Sequence, residues 1–264
     1  MEPIRVVVNG ALGRMGQEVI NAISTQDKIA LVGAVEKEVT QRYLPIVGMV
    51  VRFSANLDSI LEQCDAAVLV DFTTAEASMA AARIAAKRKV NLVIGTTGLS
   101  EENVAEIDQL CQSCGIGAVV APNFSLSAAV LIKLAELAAR FFDYAEIIEM
   151  HHAKKVDAPS GTAINTANAM LKARGKPFTY PETKTEVIPN TRGGQMEGIA
   201  LHSLRSPGFM AAQEVIFSGA GQRLSLRIEA ISREAYMPGV ILAIKEVVKQ
   251  EGLIYGLDSL LGKL

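Results

Sequence analysis

Ile4-Arg5-Val6-Val7-Val8, a β-branched run, leads directly into Gly10-Ala11-Leu12-Gly13-Arg14-Met15-Gly16. A strand, glycines at every third position, and then a helix pattern with Met15, Val19 and Ile23 on one face make a βα turn. Glycines in such a turn permit a tight bend, admit a pyrophosphate to the backbone and let helix and strand pack closely. They punctuate many βα turns, so the pattern alone is weak. Glu36 strengthens it by ending the second strand-like run 20 residues after Gly16, where an acidic side chain binds ribose hydroxyls. Without a nucleotide, the same residues read as a structural turn and a solvated glutamate. Lys37 is placed to meet a 2′-phosphate, or is an ordinary surface lysine. Glu36 favours NADH and Lys37 favours NADPH, so the pair predicts that both are accepted.

Further strand-like runs lie at residues 30–35, 66–72, 90–94 and 116–121, with helix-like stretches between most of them, notably 75–87 and 101–114. Strand alternating with helix predicts an α/β fold with a Rossmann-like, doubly wound parallel sheet. The strands are continuously apolar, as a sheet covered on both faces requires. Gly95-Thr96-Thr97-Gly98 and Ala121-Pro122-Asn123-Phe124 end two of these runs, and ligands of open α/β sheets bind beyond such ends. Each is equally readable as a plain turn.

After Phe124 the rhythm changes. The pattern predicts a helix over 126–142, a strand over 145–150, a helix from Ser160 to about residue 173 and a helix over 238–250. Residues 175–198, rich in Gly, Pro, Thr and charge, read as a long loop of the kind that serves as a lid. Leu224, Leu226, Ile228 and Ala230 alternate with polar residues over 223–231, which predicts a half-buried strand of an antiparallel or mixed sheet.

The chain has 264 residues and a net charge of −2, with no long basic run, which argues against a nucleic-acid partner. No apolar run approaches the roughly 20 residues that span a bilayer. The start passes straight into a strand with no leader pattern, so a cytoplasmic location is expected. Cys111-Gln112-Ser113-Cys114 closes a helix instead of opening one, and Val104, Ile107, Cys111 and Cys114 share a face. The thiols, with Cys64, are therefore expected to be small core residues, and no metal site is expected.

The run Glu149-Met150-His151-His152-Ala153-Lys154-Lys155-Val156-Asp157-Ala158-Pro159-Ser160-Gly161-Thr162 holds all but one of the histidines. Ser160 is a helix cap, and Gly161 and Thr162 offer backbone N–H groups in the first turn, which is an anion site. Imidazole, ammonium and free N–H groups together suit a carboxylate substrate that must also be protonated. Isolated histidines are more often solvent-facing or capped; Lys155 and Ser160-Gly161-Thr162 beside them favour function.

These motifs, with the Asp71-Phe72-Thr73 strand end and Asn123-Phe124-Ser125, resemble the dihydrodipicolinate reductase family (4-hydroxy-tetrahydrodipicolinate reductase) in the same order along the chain. The resemblance implies an NAD(P)H-dependent reductase of the diaminopimelate route to lysine, usually a homotetramer acting on a small dicarboxylate. It implies a split Rossmann domain with an inserted α+β substrate domain of mixed sheet. Residues 1–124 would bind dinucleotide, 125–232 would bind substrate and carry the chemistry, and 233–264 would return to the first domain. Carried over, Gly10, Ala11, Leu12, Gly13, Arg14, Met15, Glu36, Lys37, Gly95, Thr96, Thr97, Ala121, Pro122, Asn123 and Phe124 would hold the cofactor. His151 and Lys155 would be the catalytic pair, and His152, Ser160, Gly161 and Thr162 would grip the substrate. Two positions depart from the family's pattern. Lys37 stands where arginine is familiar and cannot fork a phosphate; Pro122 stands where alanine is common and lacks an N–H donor. The competing readings are another two-domain NAD(P) oxidoreductase and a non-catalytic NAD(P)-binding regulator; the first has no need of the His-His-Lys block, and the second would lose its proton donors.

Overall fold

The structure, a computed structural model, describes residues 2–46 and 48–261. Met1, Val47 and residues 262–264, which fall within the expected domain boundaries, lie outside the described residues. The chain divides into two compact units, Met1–Ser125 with Tyr236–Leu264, and Leu126–Ala235. The expected divisions lie at 124/125 and 232/233.

The first unit runs β1 (Ile4–Asn9), α1 (Arg14–Ser24), β2 (Ile29–Val35), β3 (Tyr43–Ile46), β4 (Met49–Ser54), α2 (Leu57–Cys64), β5 (Val68–Asp71), α3 (Ala75–Lys87), β6 (Asn91–Ile94), α4 (Glu101–Cys114) and β7 (Gly117–Val120). The second unit follows with α5 (Leu126–Ala138), β8 (Tyr144–His151), α6 (Gly161–Arg174), β9 (Gly194–Met196), β10 (Ile199–Arg205), β11 (Ala211–Gly219) and β12 (Gln222–Ala230). The chain then supplies α7 (Met237–Val247), β13 (Gly252–Tyr255) and α8 (Leu257–Leu261) to the first unit.

The strands of the first unit form one sheet in the order β13-β7-β6-β5-β1-β2-β4-β3. Its pairings are parallel except for the β3–β4 hairpin. Val6, Val7 and Val8 are fully buried, and every residue of β5 and β7 is buried, as a sheet covered on both faces demands. Strand order reverses between β5 and β2 on either side of β1, so the carboxyl ends of β1 and β5 flank a switch point. Strands β3, β4 and β13 and helices α2 and α8 come in addition to the elements expected from the sequence. The β3–β4 hairpin alternates exposed with half-buried or buried residues around Pro45 at the sheet edge, a pattern too short to read. The helix before Gly115 has a capping box, Ser100 with Asn103, and packs Cys111 fully buried; burial pushes that thiol up to about 12. Cys64 is buried and Cys114 half-buried, both as free thiols.

The second unit is a mixed sheet, β12-β11-β8-β10-β9, in which only the β8–β10 pairing is parallel. Its core joins Leu131 and Ala135 of α5, Ala163, Ala167 and Met170 of α6, and Ile147, Ile199, Val215 and Phe217 of the sheet. The expected helix over 126–142 stops at Ala138 although the apolar run continues. Arg174 donates to the carbonyls of Ala139 and Phe142 and pairs with Asp143, so the chain turns there into β8. The 223–231 strand is β12, at the sheet edge: Ala230 is buried, Leu226 and Ile228 half-buried, and Leu224 36% exposed. The expected 175–198 loop contains β9, and Phe178 at its root is buried, its N–H bonded to the Glu197 carbonyl. Among the described residues, no helix is long and apolar enough to cross a membrane.

Gly16 explains the glycine spacing. A Cβ there would stand 2.0 Å from the Gly10 carbonyl oxygen, while Gly10 has φ +78°, the left-handed region. Gly16→Ala is expected to cost about 2 kcal/mol or more in denaturant unfolding. Gly161→Ala, with no atom within 4 Å of the new Cβ, is expected to change stability by less than about 0.5 kcal/mol. Equal effects from the two variants would refute the packing argument.

Candidate functional site

In the first unit, Gly13 is the N-cap of α1 and makes no side-chain cap, so backbone N–H groups of the first turn are left for a ligand. Ala11 is buried beneath this turn, Leu12 and Arg14 are exposed, and Met15 is half-buried. Glu36 closes over the turn. Its Oε2 accepts from the Leu12 N–H at 3.0 Å and its Oε1 from the Lys37 N–H at 2.9 Å. A carboxylate oxygen has more than one acceptor site, so Glu36 keeps capacity for ribose hydroxyls. Lys37 is exposed.

The far wall is set by Asp71 at the end of β5, 1% exposed. Its Oδ2 accepts from Asn9 Nδ2 at 2.6 Å, and its Oδ1 from the Thr73 and Thr96 hydroxyls, each at 2.8 Å. Thr96 Oγ1 in turn accepts from the Thr73 N–H at 2.9 Å. The ends of β1, β5 and β6 are thus tied together by one buried carboxylate. Thr96 is buried in this network, whereas Thr97 is exposed. Gly95 makes room for Phe72: a Cβ would lie 2.0 Å from its ring. That ring packs on Phe124, whose centroid is 5.8 Å away. Ala121 and Phe124 are buried, Pro122 is exposed and Asn123 half-buried, with Asn123 Oδ1 accepting from the Ser125 N–H at 2.8 Å.

In the second unit, β8 delivers His151 at its last residue. His151 Nδ1 lies 2.6 Å from Glu149 Oε2. The following loop carries Lys155, whose Nζ donates to both oxygens of Asp157 at 2.8 and 2.9 Å; His152 is exposed. Ser160 is buried and caps α6, its Oγ accepting from the Ala163 N–H. Gly161 and Thr162 occupy the first turn, Gly161 exposed and Thr162 half-buried. The Thr162 carbonyl accepts from Thr166 Oγ1, which accepts from Gln213 Nε2 at 2.8 Å, bracing that turn against β11.

The electrostatics centre on Glu149, also 1% exposed. Burial pushes its carboxyl up, but hydrogen bonds from Arg205, Ser203 and His151 outweigh that and hold it below the usual range. Burial pulls His151 down, helped by the Lys155 and Arg205 charges and opposed by Glu149, so the imidazole is neutral near pH 7. Sequence reasoning gave Glu149 no role and missed Arg205 altogether. Glu149 was findable, since residues two apart on a strand share a face. Arg205 gives no local signal and reaches the site only through the β8–β10 register, where it pairs with His151. Asn9 was likewise missed. Among the described residues, no group of three or more His, Cys, Asp or Glu side chains is placed to hold a metal ion.

The family model described as dihydrodipicolinate reductase, N-terminus, matches residues 4–124, and the one described as dihydrodipicolinate reductase, C-terminus, matches 127–261. A 4-hydroxy-tetrahydrodipicolinate reductase of Dehalococcoides mccartyi is 52% identical over 263 residues, 99% of each chain. One from Moorella thermoacetica is 47% identical over 264 residues, 98% of each chain. A solved structure, dipicolinate-bound dihydrodipicolinate reductase from Paenisporosarcina sp. TG-14, matches with a TM-score of 0.88 at 34% identity, covering 97% of this chain and 98% of that one.

The two shifts act on stability in the same direction. His151 sits below its ordinary value of 6.5 when folded, so the unfolded chain takes up the proton first and stability falls as pH drops below about 6.5. Glu149 sits below 4.5, so its contribution is present above that value and is lost as pH falls through its folded value. Unfolding free energy measured against pH is expected to decline in both windows, and His151→Gln is expected to flatten the first. An unchanged slope between pH 6.5 and 5 in that variant would contradict the assignment.

Proposed function

The chain belongs to the dihydrodipicolinate reductase family, and we propose how its residues divide that family's work. The reaction is pyridine-nucleotide-dependent reduction of 4-hydroxy-tetrahydrodipicolinate to tetrahydrodipicolinate, in the diaminopimelate route to lysine. The observation that carries the residue assignments is the grouping of His151, Lys155 and the start of α6 around Glu149 and Arg205, because it joins a proton donor and acceptor to an anion site.

A pyridine nucleotide fits the first unit. The uncapped start of α1, the contact that only glycine permits at Gly16, and Glu36 beside Leu12 are what a pyrophosphate and an adenosine ribose need. Gly10 to Met15 would hold the pyrophosphate, Glu36 and Lys37 the adenosine end, and Gly95 to Thr97 with Ala121 to Phe124 the nicotinamide end. Thr96 acts there through Asp71 and Thr73. When bound, the nucleotide supplies the hydride. Both NADH and NADPH serve, since Glu36 suits the hydroxyls and Lys37 a 2′-phosphate.

The substrate is a cyclic imine with two carboxylates, in keeping with the dipicolinate bound by the Paenisporosarcina relative. His152 and the N–H groups of Gly161 and Thr162 position the carboxylates, aided by the α6 dipole. The 4-hydroxyl must leave as water, which makes the ring a conjugated imine; reduction of that ring leaves electron density that takes up one proton, and Lys155 supplies it. Neutral His151 accepts a hydrogen bond and relays a proton in turn. The protein works as a homotetramer in the cytoplasm. The half-buried Ile148 and Ile216 lie between the core-facing positions of β8 and β11 and suit burial against a second copy.

Oxidation of NADH or NADPH, with the synthase product generated in situ, tests the whole reading. Lys155→Ala and His151→Ala are each expected to lower kcat by roughly 10²-fold or more while leaving nucleotide affinity unchanged. A Lys155→Ala protein with normal kcat would remove the proposed donor. Lys37→Ala is expected to weaken NADPH by up to about 1 kcal/mol and NADH far less; equal losses would show that Lys37 does not read the phosphate.

A further inference from the structure

Glu149 is buried, yet three N–H groups of Arg205 and Ser160 converge on it. Arg205 Nη1 donates to Oε2 at 2.9 Å and Nη2 to Oε1 at 2.7 Å, and the Ser160 N–H reaches Oε1 at 3.3 Å. A carboxylic acid here would turn its own O–H against one of these donors, so the group is an ionised carboxylate that only accepts. His151 Nδ1, 2.6 Å from Oε2, must then carry a hydrogen and donate it. Arg205 Nη2 also donates to the Asp157 carbonyl at 2.7 Å, which ties the Lys155–Asp157 segment to the same carboxylate.

We infer that Glu149, held by Arg205, is the positioning residue for His151: it fixes the imidazole as the Nδ1–H tautomer and leaves Nε2 as the nitrogen that exchanges a proton during turnover. The charged groups acting on His151 are Glu149 on its own strand, Arg205 from β10 and Lys155 from the following loop; Ala211, its partner on β11, carries no charge. A carboxylate behind an imidazole is a recurrent means of setting its tautomer, and loss of such a support typically costs 10-fold to 100-fold in metal sites that use it.

The inference rests on the catalytic reading of His151, and the two fail separately. Nitrogen NMR of protein labelled with [15N]histidine reads the tautomer directly; the chain has three histidines, and His152→Gln and His202→Gln assign the third. The wild type is expected to show a protonated Nδ1 and a bare Nε2 above the titration of His151. In Glu149→Gln, Nε2–H should gain population and the His151 titration should move to lower pH, because the carboxylate that favours imidazolium is gone. Its kcat should fall about tenfold or more, with KM changed less than about threefold and NADH affinity unchanged. A wild-type spectrum with the hydrogen on Nε2 would overturn the inference, and that measurement stands even if the variant does not fold. A Glu149→Gln enzyme with normal kcat would overturn it too. So would a slow variant keeping the wild-type tautomer and pH profile, since Glu149 would then be structural only. Normal turnover by His151→Ala would instead sink the catalytic reading of that residue, whatever the spectrum.

Discussion

Each unit is organised around a carboxylate that cannot stay buried alone. A desolvated ion needs donors on every side, and loops supply them only when held in one arrangement. In the first unit Asp71 gathers Asn9, Thr73 and Thr96 from the ends of three strands. In the second, Glu149 gathers His151, Ser160 and Arg205 from a strand end, a helix start and a neighbouring strand. The penalty for an unpartnered charge thus does the work of a template. The loops over the nucleotide turn and the loop bearing Lys155 are anchored at their roots although their tips are exposed.

This explains which parts of the molecule were legible in the sequence. The glycine turn, Glu36, His151, Lys155 and the Ser160 cap are local patterns whose chemistry depends on neighbours within a few positions. The parallel sheet was legible because its central strands are apolar on both faces and the helices between them have a face of their own. Arg205 was not legible, since it meets Glu149 only through the parallel β8–β10 register, 56 residues away along the chain. The early end of α5 was hidden for the same reason, because the side chain that claims the carbonyls of Ala139 and Phe142 just past it, Arg174, lies on another helix. β12 was read correctly as a half-buried strand, but its partner β11 was not found. Strand β11 is buried on much of both faces and carries Gln213 in the core, so no polar alternation marks it.

Some residues expected to touch ligand also support others. Thr96 Oγ1 donates to Asp71 and accepts from the Thr73 N–H, and Ser160 Oγ accepts from the first turn of α6. Pattern reading cannot separate a residue that binds from one that holds the binder, since both sit in the same motif. Their surroundings differ: Gly161 and His152 are exposed, whereas Ser160 is buried.

The first unit is discontinuous in sequence, and that has a consequence for biosynthesis. Gly117 of β7 lies so close to the Val247 and Gln250 carbonyls that a Cβ would stand 2.4 and 2.6 Å from them, and β13 pairs along the outer edge of β7. As the chain leaves the ribosome, β7 is finished long before those partners exist, because all of Leu126–Ala235 is made in between. The second unit, continuous in sequence, has every strand and helix it needs while the first still exposes an unpaired edge. The nascent protein therefore passes through a stage with a complete insert and an open host sheet, and that edge is where a chaperone or a misplaced strand would find it.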